Sequence, residues 1–301
     1  MKAIMLAHDQ LKAGSSKVMV AGGMESMTHA PYLLTKARGG YRYGHGTVYD
    51  HMALDGLEDA YERGTAMGVF AERTVEKYGF TRKDQDDYAI ESLARAKRAN
   101  EDGSFAFEIA PLEIQGRNGA EKLDKDEAPF KAKPEKIPSL KPAFKKDGTI
   151  TAANASSISD GAAAVVMMTQ GEATKRGLKP LAKIVAHASH SRLPAEFTIA
   201  PVTAISSVLE KAGWKVADVD LWEINEAFAV VTMAAMKEHK LDHAKVNIHG
   251  GACALGHPIG ASGARIVATL IGALKKTGGR RGVATLCIGG GEAVAVALEM
   301  M

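Results

Sequence analysis

One pattern of helix, glycine stop, strand and glycine-rich end occurs twice in this chain. Residues 2–13 read as a helix, Gly14-Ser15-Ser16 as its stop, and Lys17-Val-Met-Val-Ala-Gly22 as a short buried strand ending in Gly22-Gly23. A helix over 260–276, the stop Gly278-Gly279, the strand Gly282–Cys287 and the run Gly289-Gly290-Gly291 repeat that order. A duplicated α/β unit confines the chain to two similar halves that share a core. In the second copy two strand-and-helix elements, carrying Asn225 and His257, come before the helix; in the first copy the sequence opens at the helix itself. The first half is therefore expected to be incomplete, its short strand left with an unpaired edge and an uncovered apolar face.

Between the copies the texture changes. Residues 1–27 read as the remainder of the first half, 28–150 as an inserted loop domain, 151–180 as the end of the first half and 181–301 as the second half. Within the insert, Thr81-Arg-Lys-Asp84 is a capping box that leads a charged helix to about Ala99. Glu121 to Asp147 is crowded with lysine and carries Pro129, Pro134, Pro138 and Pro142, which predicts loop outside the core. Strand patterning returns over 161–168, and Pro201 opens an amphipathic helix closed by Gly213. The last two strands form a hairpin around the three glycines.

Composition narrows the function. At 301 residues, with 46% hydrophobic and 24% charged, the chain suits a globular protein with a sizeable core. A net charge of +3 is too small to argue for nucleic acid, although it would help to attract a polyanionic ligand. Two cysteines make no disulfide framework and suit a reducing cytoplasm. No apolar run has signal-peptide or membrane-spanning length. The ten histidines show no ligand spacing with carboxylates or cysteines, so no metal site is expected; His187 and His190 read as a solvated face.

The chemistry concentrates in three segments. Asn247 to Arg265 joins an apolar run to a helix through a turn of small residues that presents His257 on bare backbone before Pro258. An imidazole there could cap a helix, or donate to a developing oxyanion from a preorganised position. Cys287 stands where a strand meets three glycines; alone it reads as a small hydrophobe, but beside His257 a cysteine–histidine pair becomes available. Asn225 at the start of a helix suits an N-cap, or an amide that holds water or a carbonyl beside a reacting carbon. Cys253 reads as a packing residue.

Together with Val20-Ala-Gly-Gly-Met-Glu-Ser26, Ala66-Met-Gly68, Thr151-Ala-Ala-Asn-Ala-Ser156 and Asp160-Gly-Ala-Ala-Ala164, the motifs Asn225-Glu-Ala-Phe228, Gly256-His-Pro-Ile-Gly-Ala-Ser-Gly-Ala-Arg265 and Cys287-Ile-Gly-Gly-Gly291 resemble the thiolase family of acyl-CoA C-acyltransferases. The resemblance runs over nearly the whole chain. It implies an α/β fold of two βαβαβαββ halves in αβαβα layers, the first incomplete here. It implies the branch that condenses two acetyl-CoA to acetoacetyl-CoA and coenzyme A, and runs the reverse thiolysis. A 3-ketoacyl-CoA thiolase of another chain length, or a non-catalytic acyl-CoA-binding or assembly subunit, are the alternatives. Coenzyme A thioesters enter as substrates, with no permanently bound cofactor, and a homo-oligomer, dimer or tetramer, is expected.

The same resemblance makes Cys287 the acid/base at the α-carbon. His257, with a water on Asn225, would form one oxyanion hole and the Gly289 amide would serve a second. Met67, Phe144, Ser156, Ala227 and Phe228 match positions along the coenzyme A path. Pro129 replaces an arginine the family often places near the nucleotide phosphates, with Lys131 and Lys133 close by. The family's nucleophilic cysteine, in Cys-Gly-Ser-Gly ahead of a helix that begins like Met1-Lys2-Ala3-Ile4, has no counterpart in these 301 residues. An N-terminally truncated product, unable by itself to carry the acyl group, is the expectation that follows.

Overall fold

The structure, a computed structural model, describes residues 1–116 and 119–301. The first part of the chain contains α1 (Lys2–Lys12), β1 (Val18–Ser26), β2 (Tyr32–Leu33), β3 (Tyr49–Asp50), α2 (Met67–Tyr78), α3 (Arg82–Glu101), β4 (Leu112–Gly116), β5 (Gly119–Leu123), α4 (Ala128–Lys131) and β6 (Asp160–Met168). The rest contains α5 (Gln170–Lys175), β7 (Ala182–Ser191), α6 (Ala200–Ala212), β8 (Leu221–Ile224), α7 (Ala229–His239), α8 (Ala252–Leu255), α9 (Ile259–Thr277), β9 (Arg281–Ile288) and β10 (Glu292–Met300).

The spacing of Ile4, Met5, Ala7 and Leu11 gives α1 one buried face, and Gly14 closes it with a φ of +76°. That face packs with Ala264, Val267 and Leu270 of α9 and with Ala21 of β1. β1 and β6 pair antiparallel in continuous register from Val18↔Met168 to Ser26↔Asp160. Among the described residues β1 has no other strand partner, and Val20, Met24 and Val166 are exposed. The second half forms a sheet in the order β7-β10-β9-β8, parallel only between β8 and β9.

Side-chain alternation lets this sheet serve two cores. Leu286, Val294, Val296 and Leu298 face α1 and α9, whereas Val283, Ala293, Ala295 and Ala297 join Ile205, Val208 and Leu209 of α6 on the other side. The two central helices thus lie between the β1–β6 sheet and the larger one, with α6 outside. No helix among the described residues is long and apolar enough to cross a membrane.

Glycines set the distance between the first sheet and α9. A Cβ on Gly23 would stand 2.0 Å from the Gly260 carbonyl oxygen, one on Gly260 would stand 2.3 Å from the Met24 carbonyl oxygen, and one on Gly161 would stand 2.8 Å from Pro258 Cγ. Gly260 N–H also donates to Glu25 Oε2 at 3.0 Å. The start of α9 is pressed flat on β1, and the His257 turn is seated by that contact.

Two expectations need correction. The lysine- and proline-rich stretch is partly core: Pro129 is buried in α4, and Ile137 packs with Leu93, Ala96 and Ala254. Two of its four prolines, Pro129 and Pro134, stand in the first turns of short helices, where a missing N–H costs nothing. Asn225 caps no helix. The chain runs on for three residues after it before α7 begins behind Phe228, and its backbone N–H instead extends the β8 ladder to Thr285 O at 3.0 Å.

Candidate active site

Cys287 and His257 meet at one cavity of about 270 Å³, which Gly289, Met67, Ser156, Ala227 and Phe228 also line. Cys287 comes in at the end of β9, held opposite Ala293 of β10, just before the chain reverses through Gly290 and Gly291 at φ values of +93° and +90°. Two successive residues in that region require glycine, so no side chains crowd the turn beside the thiol. Burial pushes the Cys287 thiol up to about 12.

His257 arrives from the other motif. Its backbone N–H donates to Ser157 O at 3.1 Å, and its Nδ1 lies 2.6 Å from Ser262 Oγ, one turn into α9. Ser262 in turn donates to Pro258 O at 3.0 Å, so its oxygen is left to accept from Nδ1–H. On the other side Asn225 Nδ2, which can only donate, stands 3.3 Å from Nε2. With the amide so placed the chain of bonds assigns the proton to Nδ1 and leaves Nε2 as acceptor. Burial, with Arg265 adding to it, lowers the imidazole to about 4 and keeps it neutral. Asn225 is 1% exposed, and its Oδ1 has no partner among the described residues. A buried amide oxygen without a donor is a place for a water or a substrate group.

Glu226 fixes the chain beside Asn225. Its buried carboxylate accepts from Tyr88 Oη, Ser92 Oγ and Asn247 Nδ2, each at 2.8 Å, and from Cys253 N at 3.1 Å. A Cβ on Gly251 would stand 2.3 Å from its Cδ. Cys253 Sγ lies 3.8 Å from Glu226 O and does not reach the first cavity.

Of the other expected residues, Ser156 donates to Ala227 O at 3.0 Å. Phe144 is not in the cavity wall. Its ring stacks edge-on against Phe228 at 5.8 Å and fills the space over Gly68, where a Cβ would stand 2.2 Å from it. Lys131 and Lys133 line a second cavity of about 490 Å³ together with Lys136, Leu140, Ser157 and Cys253. Ser156 lines the first cavity and its chain neighbour Ser157 the second.

Ser262, Glu226 and Lys136 were not singled out by sequence reasoning. Ser262 and Glu226 lay inside motifs already noted, as a hydroxyl five residues past the histidine and an acid beside the asparagine. Nothing local separates Lys136 from its neighbouring lysines.

The family models for the thiolase N-terminal and C-terminal domains match residues 1–171 and 178–300. The chain belongs to the thiolase family. It is 47% identical over 302 residues to a probable acetyl-CoA acetyltransferase of Dictyostelium discoideum, covering 100% of this chain and 73% of that one. The structure superposes with a TM-score of 0.96 and 44% identity on the acetyl-CoA acetyltransferase of Bacillus anthracis, covering 100% of this chain and 76% of that one. A thiolase from Ascaris suum in complex with coenzyme A matches with a TM-score of 0.93 and 44% identity, over the same shares. The fold is the thiolase fold, with the two halves that the sequence repeat foretold.

Proposed function

We propose that this thiolase acts as an acetyl-CoA C-acetyltransferase, joining two acetyl-CoA into acetoacetyl-CoA and coenzyme A and running the reverse cleavage. The observation that carries this reading is the meeting of Cys287 and His257 at one cavity, with the Asn225 amide on the imidazole. The names of relatives at 44–47% identity favour the acetyl branch.

In the condensation direction Cys287 first gives its proton to the thiolate released when one acetyl group is loaded, and Cys287 Sγ, now a thiolate, takes a methyl proton from acetyl-CoA. The enolate carbon then bonds to a second acetyl carbonyl, and the thiolate released from that acetyl group takes up a proton in turn. A thiol held at about 12 is a strong base as thiolate and a stable donor once protonated, which suits transfer to and from carbon. His257 Nε2 takes a proton from a thiol and then donates to the oxyanion, with a water on Asn225 Oδ1 beside it; the Gly289 amide serves the second carbonyl. The thiol that carries the second acetyl group is assigned to no residue of the 301.

Met67, Ser156, Ala227 and Phe228 enclose the pantetheine, with Phe144 holding Phe228 in place. The lysines of the second cavity, Lys131, Lys133 and Lys136, meet the phosphates as exposed charges whose contribution weakens with salt. The test is calorimetric titration with coenzyme A and acetyl-CoA at low and moderate salt. Wild type should bind, more weakly as salt rises, and Ser156→Ala, Phe144→Ala and Lys136→Ala should each bind less tightly. Absence of binding, or variants that match wild type, would remove the ligand from this path.

A further inference from the structure

Outside the reaction cavity, the fold brings two neighbouring side chains, His8 and Asp9, together with His187, 178 positions beyond Asp9 in sequence. His8 and Asp9 stand near the end of α1 and His187 in β7. Asp9 Oδ1 lies 3.1 Å from His8 Nδ1 and 2.8 Å from His187 Nε2, and the three ligand atoms are all within 4.8 Å of one another. The rings meet edge to face with centroids 5.1 Å apart. Both imidazoles are mostly covered, at 17% and 18% exposure, whereas the carboxylate reaches solvent at 57%. The histidine spacing that spoke against a metal in the sequence could not reveal this, since the pair comes from opposite halves of the chain.

From this arrangement the geometry points to a divalent transition-metal site of the zinc class, with His8 Nδ1, His187 Nε2 and Asp9 Oδ1 as protein ligands and solvent in the remaining positions. Two ligands about 2.1 Å from one tetrahedral ion are roughly 3.4 Å apart, so the nitrogen–oxygen separations of 2.8 and 3.1 Å need open only by a few tenths of an ångström while the imidazoles close up. Two imidazoles and one carboxylate select zinc, cobalt, nickel or copper over magnesium and calcium. The ion needs no net loss of protons: each neutral ring moves its proton to its other nitrogen. Hydrogen bonds from His187 and then His8 already hold the Asp9 carboxyl below its ordinary range. Asp9 also stands in the last turns of α1, where the helix dipole favours a cation. An ion here would clip α1 of the first half to the edge strand of the second. It would sit about 9 Å along the helix from Lys2, which lines the reaction cavity.

The test uses the full chain, free of affinity tags and stripped with chelator, titrated with zinc by calorimetry and with cobalt by absorption. One equivalent should bind with micromolar affinity, and the cobalt spectrum should lack a thiolate band, which separates this site from Cys287 and Cys253. His8→Ala and His187→Ala should each weaken binding at least tenfold. Asp9→Asn, which keeps the shape and a hydrogen-bonding oxygen, should weaken it less than the histidine variants. Excess zinc should raise the melting temperature of wild type by about 5 °C and leave the histidine variants unmoved, whereas magnesium should do neither. No saturable zinc binding, a thiolate band, or equal affinity in wild type and both folded histidine variants would overturn the site.

Discussion

Ser262 is 1% exposed, and its oxygen is what holds the proton of His257 on Nδ1. In Ser262→Ala that nitrogen loses its partner and the ring can change tautomer or tilt. The rate of acetyl-CoA methyl-proton exchange should fall about 100-fold with little change in coenzyme A affinity; an unchanged rate would show that the serine does not orient the ring. Glu226→Ala removes the acceptor shared by four donors and should cost on the order of 3 kcal/mol in denaturant stability, with exchange lost in whatever remains folded. At this scale the sequence was legible where glycine marked the residue. His257 and Cys287 each stand in a run of small residues, and both reach the cavity. Asn225 was half legible, since asparagine before a helix ordinarily caps it. The partners of Glu226 come from residues 88, 92 and 247, and no local pattern could have named them.

The first turn of α9 is the element on which the site depends. Gly260→Ala would place a Cβ 2.3 Å from the Met24 carbonyl oxygen, which is backbone and cannot swing aside. Either α9 lifts from β1 or the two sheets move apart, and in both cases the His257 turn shifts. The variant should lose stability by about 1–3 kcal/mol and lose most exchange activity; a wild-type urea midpoint and full exchange would show that the contact is looser than drawn. Leu270→Ala in the middle of the same helix should cost about 2–5 kcal/mol and spare the geometry of the turn in the folded fraction. Helix and strand existence read well from sequence because the buried faces repeat at 3.6 and 2 residues, as in α1, α9 and β10. The segment 121–147 is hard to read because proline breaks a helix interior yet opens a first turn equally well, and two of its prolines begin short helices against α3.

Over the whole molecule, buried titratable groups shape the dependence of stability on pH. Burial lowers His257 and His249 to about 4 from an ordinary 6.5. Between these values the unfolded chain binds more protons, so their contribution is complete above pH 6.5 and is lost as pH falls toward 4. Glu223 and Glu108 behave oppositely: burial raises them to about 8 and about 7 from 4.5, although Arg265 Nη1 lies 3.6 Å from Glu223. Their native forms keep protons that the unfolded chain has released, so their contribution falls as pH rises from 4.5. The two pairs offset each other between pH 4.5 and 6.5; from 6.5 to 8 the two carboxyls act against a single group of opposite sign among the described residues, the Met1 amine, which burial holds below its ordinary 8.0. Urea midpoints should therefore fall between pH 6.5 and 8, and Glu223→Gln should flatten the fall. A rising midpoint over that interval, or a variant with the same slope, would contradict this assignment.

The role proposed for Cys287, in a cavity shared with His257, is to move a proton at the α-carbon of an acetyl thioester. Mass spectrometry of acetyl-CoA incubated with the protein in deuterated buffer measures that step alone, before any carbon–carbon bond forms. Deuterium should enter the methyl group with wild type and enter at least 100-fold more slowly with Cys287→Ala, while calorimetry shows acetyl-CoA still bound. Exchange at the wild-type rate in the variant, or none in wild type that binds acetyl-CoA, would show that Cys287 does not move this proton.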